Sequence, residues 1–179
     1  MKNNILLIFA LLIVSHYAKN LSKKTSSKCV LKEQIVCTAD DYIMVVKVND
    51  KEVTEYFRNT KWDVPVVAEL DGVLKPGVKV EIIAKNKSGG VANTGKNYNN
   101  AGLLATITYP GVNGSWKQVG TNGNWICNNS APHTMGKNVD PSNKWHAYRK
   151  KKFSEMSDNS EWIWSSNGSQ EIKCSITLP

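Results

Sequence analysis

Leu74 to Asn86 reads LKPGVKVEIIAKN, and this stretch decides the fold class. Pro76 presets φ at the second position of a tight turn, and Gly77 supplies the positive φ that the third position of a type II turn requires. After the turn, Val78, Val80, Ile82 and Ala84 alternate with Lys79, Glu81 and Lys85. A period of two sends these sets to opposite faces, so Val78 to Asn86 is expected to be a half-buried β-strand.

Working outward from it, the neighbouring segments carry the same signature. Upstream, Tyr42 to Asn49 (YIMVVKVN) is β-branched and apolar with Lys47 its only charge, which suits a central strand. Asn49-Asp50 is a tight turn, and Lys51 to Phe57 (KEVTEYF) returns as a second hairpin arm. Gln34 to Thr38 (QIVCT) is a further strand. It ends at the corner Ala39-Asp40-Asp41, whose carboxylates can cap the turn's own N–H groups. Pro65 puts Val64 to Leu70 at a sheet edge or a strand start.

Downstream, Ser88 to Asn100 is a Gly/Asn-rich loop, and Gly102 to Tyr109 (GLLATITY) is a strand ended by Pro110-Gly111. Trp116 to Cys127 is expected to form a hairpin closed by Asn122-Gly123 in a type I′ turn. Asn128 to Lys144 is loop-like, and Trp145 to Met156 is ambiguous between a loop and a helical turn. Trp162-Ile163-Trp164 and Glu171 to Leu178 are the last strands. Trp162 and Trp164 lie two apart, so both are expected on one face, anchoring the core. Short strands, frequent turns and no convincing amphipathic helix predict an all-β sandwich in a single domain.

The ends of the chain set the compartment. Lys2 followed by the apolar run Ile5 to Val14 has the form of a signal peptide over residues 1–18, cut after Ala18 or near Ser15. A bilayer span needs roughly 20 apolar residues, so no membrane span is expected. Residues 19–33 form a basic, Ser/Lys-rich arm expected to be flexible, and 34–179 the sandwich. Secretion makes Cys29, Cys37, Cys127 and Cys174 candidates for two disulfides, in a pairing the sequence leaves open. A finger-like zinc site is disfavoured by the absence of a C-x-x-C pair.

The formal charge is +8, concentrated in the arm and in Tyr148 to Phe153 (YRKKKF). For a secreted chain this favours an acidic polysaccharide or anionic surface over nucleic acid, while charge runs of this length also occur as plain solvated faces. Asn-x-Ser sequons at Asn20, Asn86, Asn113, Asn128 and Asn167 mark N-glycosylation candidates, expected at the surface.

The order TADDYIMVVKVNDKEV, LKPGVKVEIIAKN, AGLLATITY and a Trp-rich stretch ending in WIW resembles galactose-binding-domain-like jelly-roll modules. These accompany bacterial α-L-rhamnosidases and also occur in uncharacterised secreted proteins. The resemblance covers about Gln34 to Pro179, and Asn49-Asp50 stands where such modules usually have Asn-Gly. It implies an antiparallel jelly-roll β-sandwich of the accessory, sugar-binding kind, without the glycosidase activity.

Chemistry-bearing motifs point the same way. Asp40, Asp41, Asp71 and Glu161 form no distinctive carboxylate pair, and His133 and His146 lie in no catalytic context. No catalytic residue, cofactor or metal is therefore assigned. Among Trp62, Trp116, Trp125, Trp145 and Tyr148, one or two are expected to be exposed for sugar stacking. Trp145, Tyr148, Arg149, Lys150, Lys151 and Lys152 are the glycan-binding candidates, a basic-aromatic set suited to an acidic glycan. The expected partner is a carbohydrate or glycoprotein surface. The alternative is a structural subunit of an extracellular matrix, coat or fibre, self-associating through a strand near Cys29 to Thr38.

Overall fold

The chain folds into β-strands that divide between two antiparallel sheets in a computed structural model, which describes residues 31–54, 64–86, 101–134, 156–165 and 169–179. In chain order the strands are β1 (Gln34–Ala39), β2 (Tyr42–Val48), β3 (Lys51–Glu52), β4 (Val66–Glu69), β5 (Lys79–Lys85) and β6 (Leu103–Pro110). They continue with β7 (Trp116–Gly120), β8 (Ile126–Cys127), β9 (His133–Thr134), β10 (Ile163–Trp164) and β11 (Glu171–Thr177). No helix long and apolar enough to cross a membrane occurs among the described residues.

One sheet has six strands, ordered β4-β1-β6-β10-β9 with β7 also on β6; the other has five, ordered β3-β2-β5-β11-β8. β1 takes one edge of β6, while β10 at Leu103 and β7 at Thr106 to Pro110 share the opposite edge. A single hydrophobic cluster draws Ile35, Leu103 and Ile107 from the first sheet and Val46, Ile82 and Ile172 from the second. Each such fully buried side chain contributes roughly 2 kcal/mol. This shared core between two sheets is the β-sandwich arrangement that the alternating sequence predicts.

The turns follow their residues. Val78 N–H bonds to the Lys75 carbonyl at 3.1 Å and Gly77 has φ +84°, as a type II turn requires. Asn49 and Asp50 both have positive φ, 48° and 65°, which defines a type I′ turn and lets Asp stand where Gly is commoner. At the first corner, Asp40 N–H bonds to the Gly102 carbonyl and Asp41 N–H to that of Lys85. The chain crosses from the six-stranded to the five-stranded sheet there, tied to both. In β2 the register shifts between Ile43 and Val45, a bulge that turns both Ile43 and Val46 inward although the run does not alternate.

Several expectations need correcting. Trp116 to Cys127 is not a hairpin: β7 pairs with β6 in one sheet and β8 with β11 in the other. The loop crosses between sheets because Trp125 is pulled into the core, its indole N–H bonded to the Gly120 carbonyl at 3.0 Å. Trp164 joins the core cluster, whereas Trp162 is buried outside it; β10 is too short to set a common face for the two. The strand beginning near Gln34 is no free edge, because β1 is paired on both sides, by β4 and β6. β4 is the outer strand at this end of the sheet.

The cysteines also depart from expectation. Cys127 and Cys174, facing each other across β8 and β11, form a disulfide. Cys37 is a free, buried thiol, so it does not supply the second bridge. Its position explains this: it points into the core from β1, a strand occupied on both edges. Cys29 lies outside the described residues.

Candidate functional site

A concavity lies where the β7 edge of one sheet meets the end of β11 in the other. β8 pairs with β11 only at Cys174 and Ser175, so the next residues, Ile176 and Thr177, have no strand partner on that edge among the described residues. The missing strand length leaves a groove of about 730 Å³. Among the residues lining it are four with carboxamide side chains, Gln118, Asn122, Asn124 and Asn159, and two with hydroxyls, Ser175 and Thr177. Val119, Ile126 and Ile176 supply apolar surface between them.

Local structure fixes these groups. Asn122 Oδ1 accepts from Asn124 N–H at 2.8 Å, and the Asn122 carbonyl accepts from Trp125 N–H at 3.2 Å. This Asx-type turn, anchored below by the Trp125 ring, presents both asparagines. Gln118 Nε2 donates to Thr108 Oγ1 at 3.3 Å, and Asn159 N–H to Ser157 Oγ at 3.2 Å. Gly120 is required beneath them: an added Cβ would sit 2.7 Å from Ser160 Cα. Trp116, two residues before Gln118 on the same face of β7, is 40% exposed. Two strand residues span roughly 6.6 Å, so an accessible ring stands beside the amide wall.

Among the described residues one charged side chain lines the groove, that of Lys79. Its backbone is clamped by Asn49, with Lys79 N–H donating to Asn49 Oδ1 and Asn49 N–H donating to the Lys79 carbonyl, both at 2.9 Å. The same device recurs across the sheet. Lys173 N–H donates to Asn128 Oδ1 at 3.0 Å, and Asn128 N–H to the Lys173 carbonyl at 2.9 Å. Asn128 and Asn129 have φ 51° and 63°, a second left-handed pair between mutually bonded Cys127 and Ser130. The two clamped lysines converge on Glu81, at 3.5 Å from Lys79 and 3.1 Å from Lys173, with Lys47 at 4.0 Å. Glu81 was expected to face solvent, yet its side chain is only 4% exposed: the lysine stems close over it.

The residues singled out from sequence fare unevenly. Trp145, Tyr148, Arg149, Lys150, Lys151 and Lys152 lie outside the described residues, as do Trp62 and His146. Trp125 belongs to the core, and Trp116 is the exposed one of the two described candidates. Asn113 is exposed in the β6–β7 turn, and Asn128 is half-buried. Asn86 is 2% exposed, which corrects its expected surface position and leaves no room for a glycan there in the folded chain. Asn20 and Asn167 lie outside the described residues. No group of three or more His, Cys, Asp and Glu side chains is placed to hold a metal ion among the described residues.

The amide wall escaped sequence reading because its four members come from three separate segments with no common spacing. The Asn128-Asn129 turn had a signal, since asparagine tolerates the left-handed region and the pair follows a β-like run.

No family model, curated protein or solved structure matches the chain.

Proposed function

We propose that the chain is a secreted, non-catalytic module of the galactose-binding-like jelly-roll type, and that it binds carbohydrate in the groove beside β7 at an extracellular surface. The observation carrying this reading is that four carboxamide-bearing and two hydroxyl-bearing residues line one open groove, with a partly exposed indole beside it. A sugar hydroxyl donates and accepts at once, and a carboxamide offers both functions from one planar group. The apolar face of a pyranose suits an aromatic ring such as that of Trp116. The Cys127–Cys174 bond supports an oxidising compartment.

Glycan-array profiling of the full chain tests the reading. The expected result is retention on a restricted set of glycans, weakened about tenfold or more in an Asn122→Ala, Asn124→Ala variant and again in Trp116→Ala. Absence of retention on every glycan, or binding unchanged by both variants, contradicts it.

A second reading, a self-associating structural subunit, has one observation in its favour. Val67 of the outer strand β4, and Leu31, Val64 and Val73 outside it, are all 41–43% exposed. Apolar surface at an outer strand favours pairing between chains. On this reading, light scattering at rising concentration shows assembly that Val67→Lys abolishes; a strict monomer at all concentrations removes it.

A further inference from the structure

We infer that the groove selects an anionic saccharide, a uronate or sulfated sugar, whose acidic group meets the Lys79 ammonium. This rests on the groove being a sugar site and adds the charge class of its ligand.

Three observations carry it. Lys79 is the charged side chain among the described residues lining the groove, set amid neutral amides and the main-chain oxygens of Pro179. That cation is held in place: two hydrogen bonds to Asn49 fix its backbone and the buried Glu81 carboxylate tethers its side chain. Its charge is nevertheless under-compensated. Glu81 is shared by three lysines, and its shortest contact is with Lys173 at 3.1 Å rather than Lys79 at 3.5 Å. The other acidic neighbour, Asp50, stands 4.0 Å away with a side chain 85% exposed, where solvent makes the attraction weak.

Lys79 also pairs across the sheet with Thr177, which itself lines the groove. A ligand carboxylate or sulfate placed there can accept from the ammonium and the Thr177 hydroxyl together. Neutral hydroxyls farther along the saccharide remain within reach of the amides. Charge-assisted hydrogen bonds are about twice as strong as neutral ones, so one such contact suffices to separate acidic from neutral sugars.

The test is calorimetric titration of the full chain with oligogalacturonate and with the neutral galacto-oligosaccharide of equal length, at low and high salt. The expected result is about tenfold or greater preference for the uronate, shrinking as salt screens the pair. Lys79→Ala should erase that preference while leaving neutral binding within about twofold, and Lys79→Arg should restore most of it. Equal affinity for both sugars, or a preference that survives Lys79→Ala, overturns the inference while the neutral site stands. Binding of neither sugar, with none retained on the array, overturns the groove as a sugar site and this inference with it.

Discussion

The two sheets meet at one core but treat their outer faces in opposite ways. On the six-stranded sheet, Val36 and Thr38 of β1 and Leu104, Thr106 and Thr108 of β6 fall outside the shared core cluster and are still buried. Residues 156–161 account for part of this cover: Ser157 N–H donates to Thr106 Oγ1 at 2.9 Å, and Ser160 Oγ lies 2.7 Å from the same oxygen. On the five-stranded sheet the outward positions carry Lys47, Lys79, Lys85 and Lys173, and all but Lys85 gather around one buried carboxylate, Glu81. The central strands β1 and β6 of the first sheet are therefore stabilised by burial on both faces. The second relies on one apolar face, a disulfide and side chains that also reach the groove. The candidate groove lies where the edges of the two sheets meet.

Breaking the Cys127–Cys174 bond should have the largest effect. The cysteines lie 47 residues apart, and loop-closure entropy for that length gives about 4 kcal/mol. Chemical denaturation with and without reductant checks this; an unchanged midpoint contradicts a covalent contribution to the five-stranded sheet. Next, Leu104→Ala should cost about 3 kcal/mol although Leu104 points away from the shared core. Ile83→Ala, at an outward and half-buried position of β5, should cost only about 1 kcal/mol. Equal losses would dissolve the contrast between the sheets.

A smaller effect concerns the buried thiol of the six-stranded sheet. Burial pushes the Cys37 thiol well above its ordinary range. Unfolded, it ionises near pH 8.5. Stability that is complete below that value is therefore lost as pH rises toward the folded pKa, since the unfolded state then binds fewer protons. In a Cys29→Ser chain, thiol reagent at pH 8 should leave Cys37 unmodified until denaturant is added. Prompt labelling of native protein would show that β1 is not sealed.

The same contrast explains what the sequence revealed. Alternation in VKVEIIAKN, broken only at Ile83, betrayed a strand with one open face, and the Pro76-Gly77 and Asn49-Asp50 turns were legible because only certain residues tolerate their dihedrals. GLLATITY was legible as a strand too, and its lack of any charged residue fits its burial on both faces. Glu81 misled, because a charge at an outward position looks exposed until the stems of its neighbours are in place. The groove was illegible for a different reason. It arises where β8 stops short, and the length of a two-residue strand is decided by the crossing loop that Trp125 anchors, not by local pattern.

The claim that joins fold to function is that the groove beside β7 holds sugar through its carboxamides. Side-chain NH₂ resonances in a nitrogen–proton correlation spectrum of the labelled full chain report those groups directly. Titration with a glycan retained on the array should shift the NH₂ pairs of Gln118, Asn122, Asn124 and Asn159 together with the Trp116 indole. Shifts confined instead to Trp145 and the Arg149 to Lys152 run, or none at saturating glycan, would contradict it.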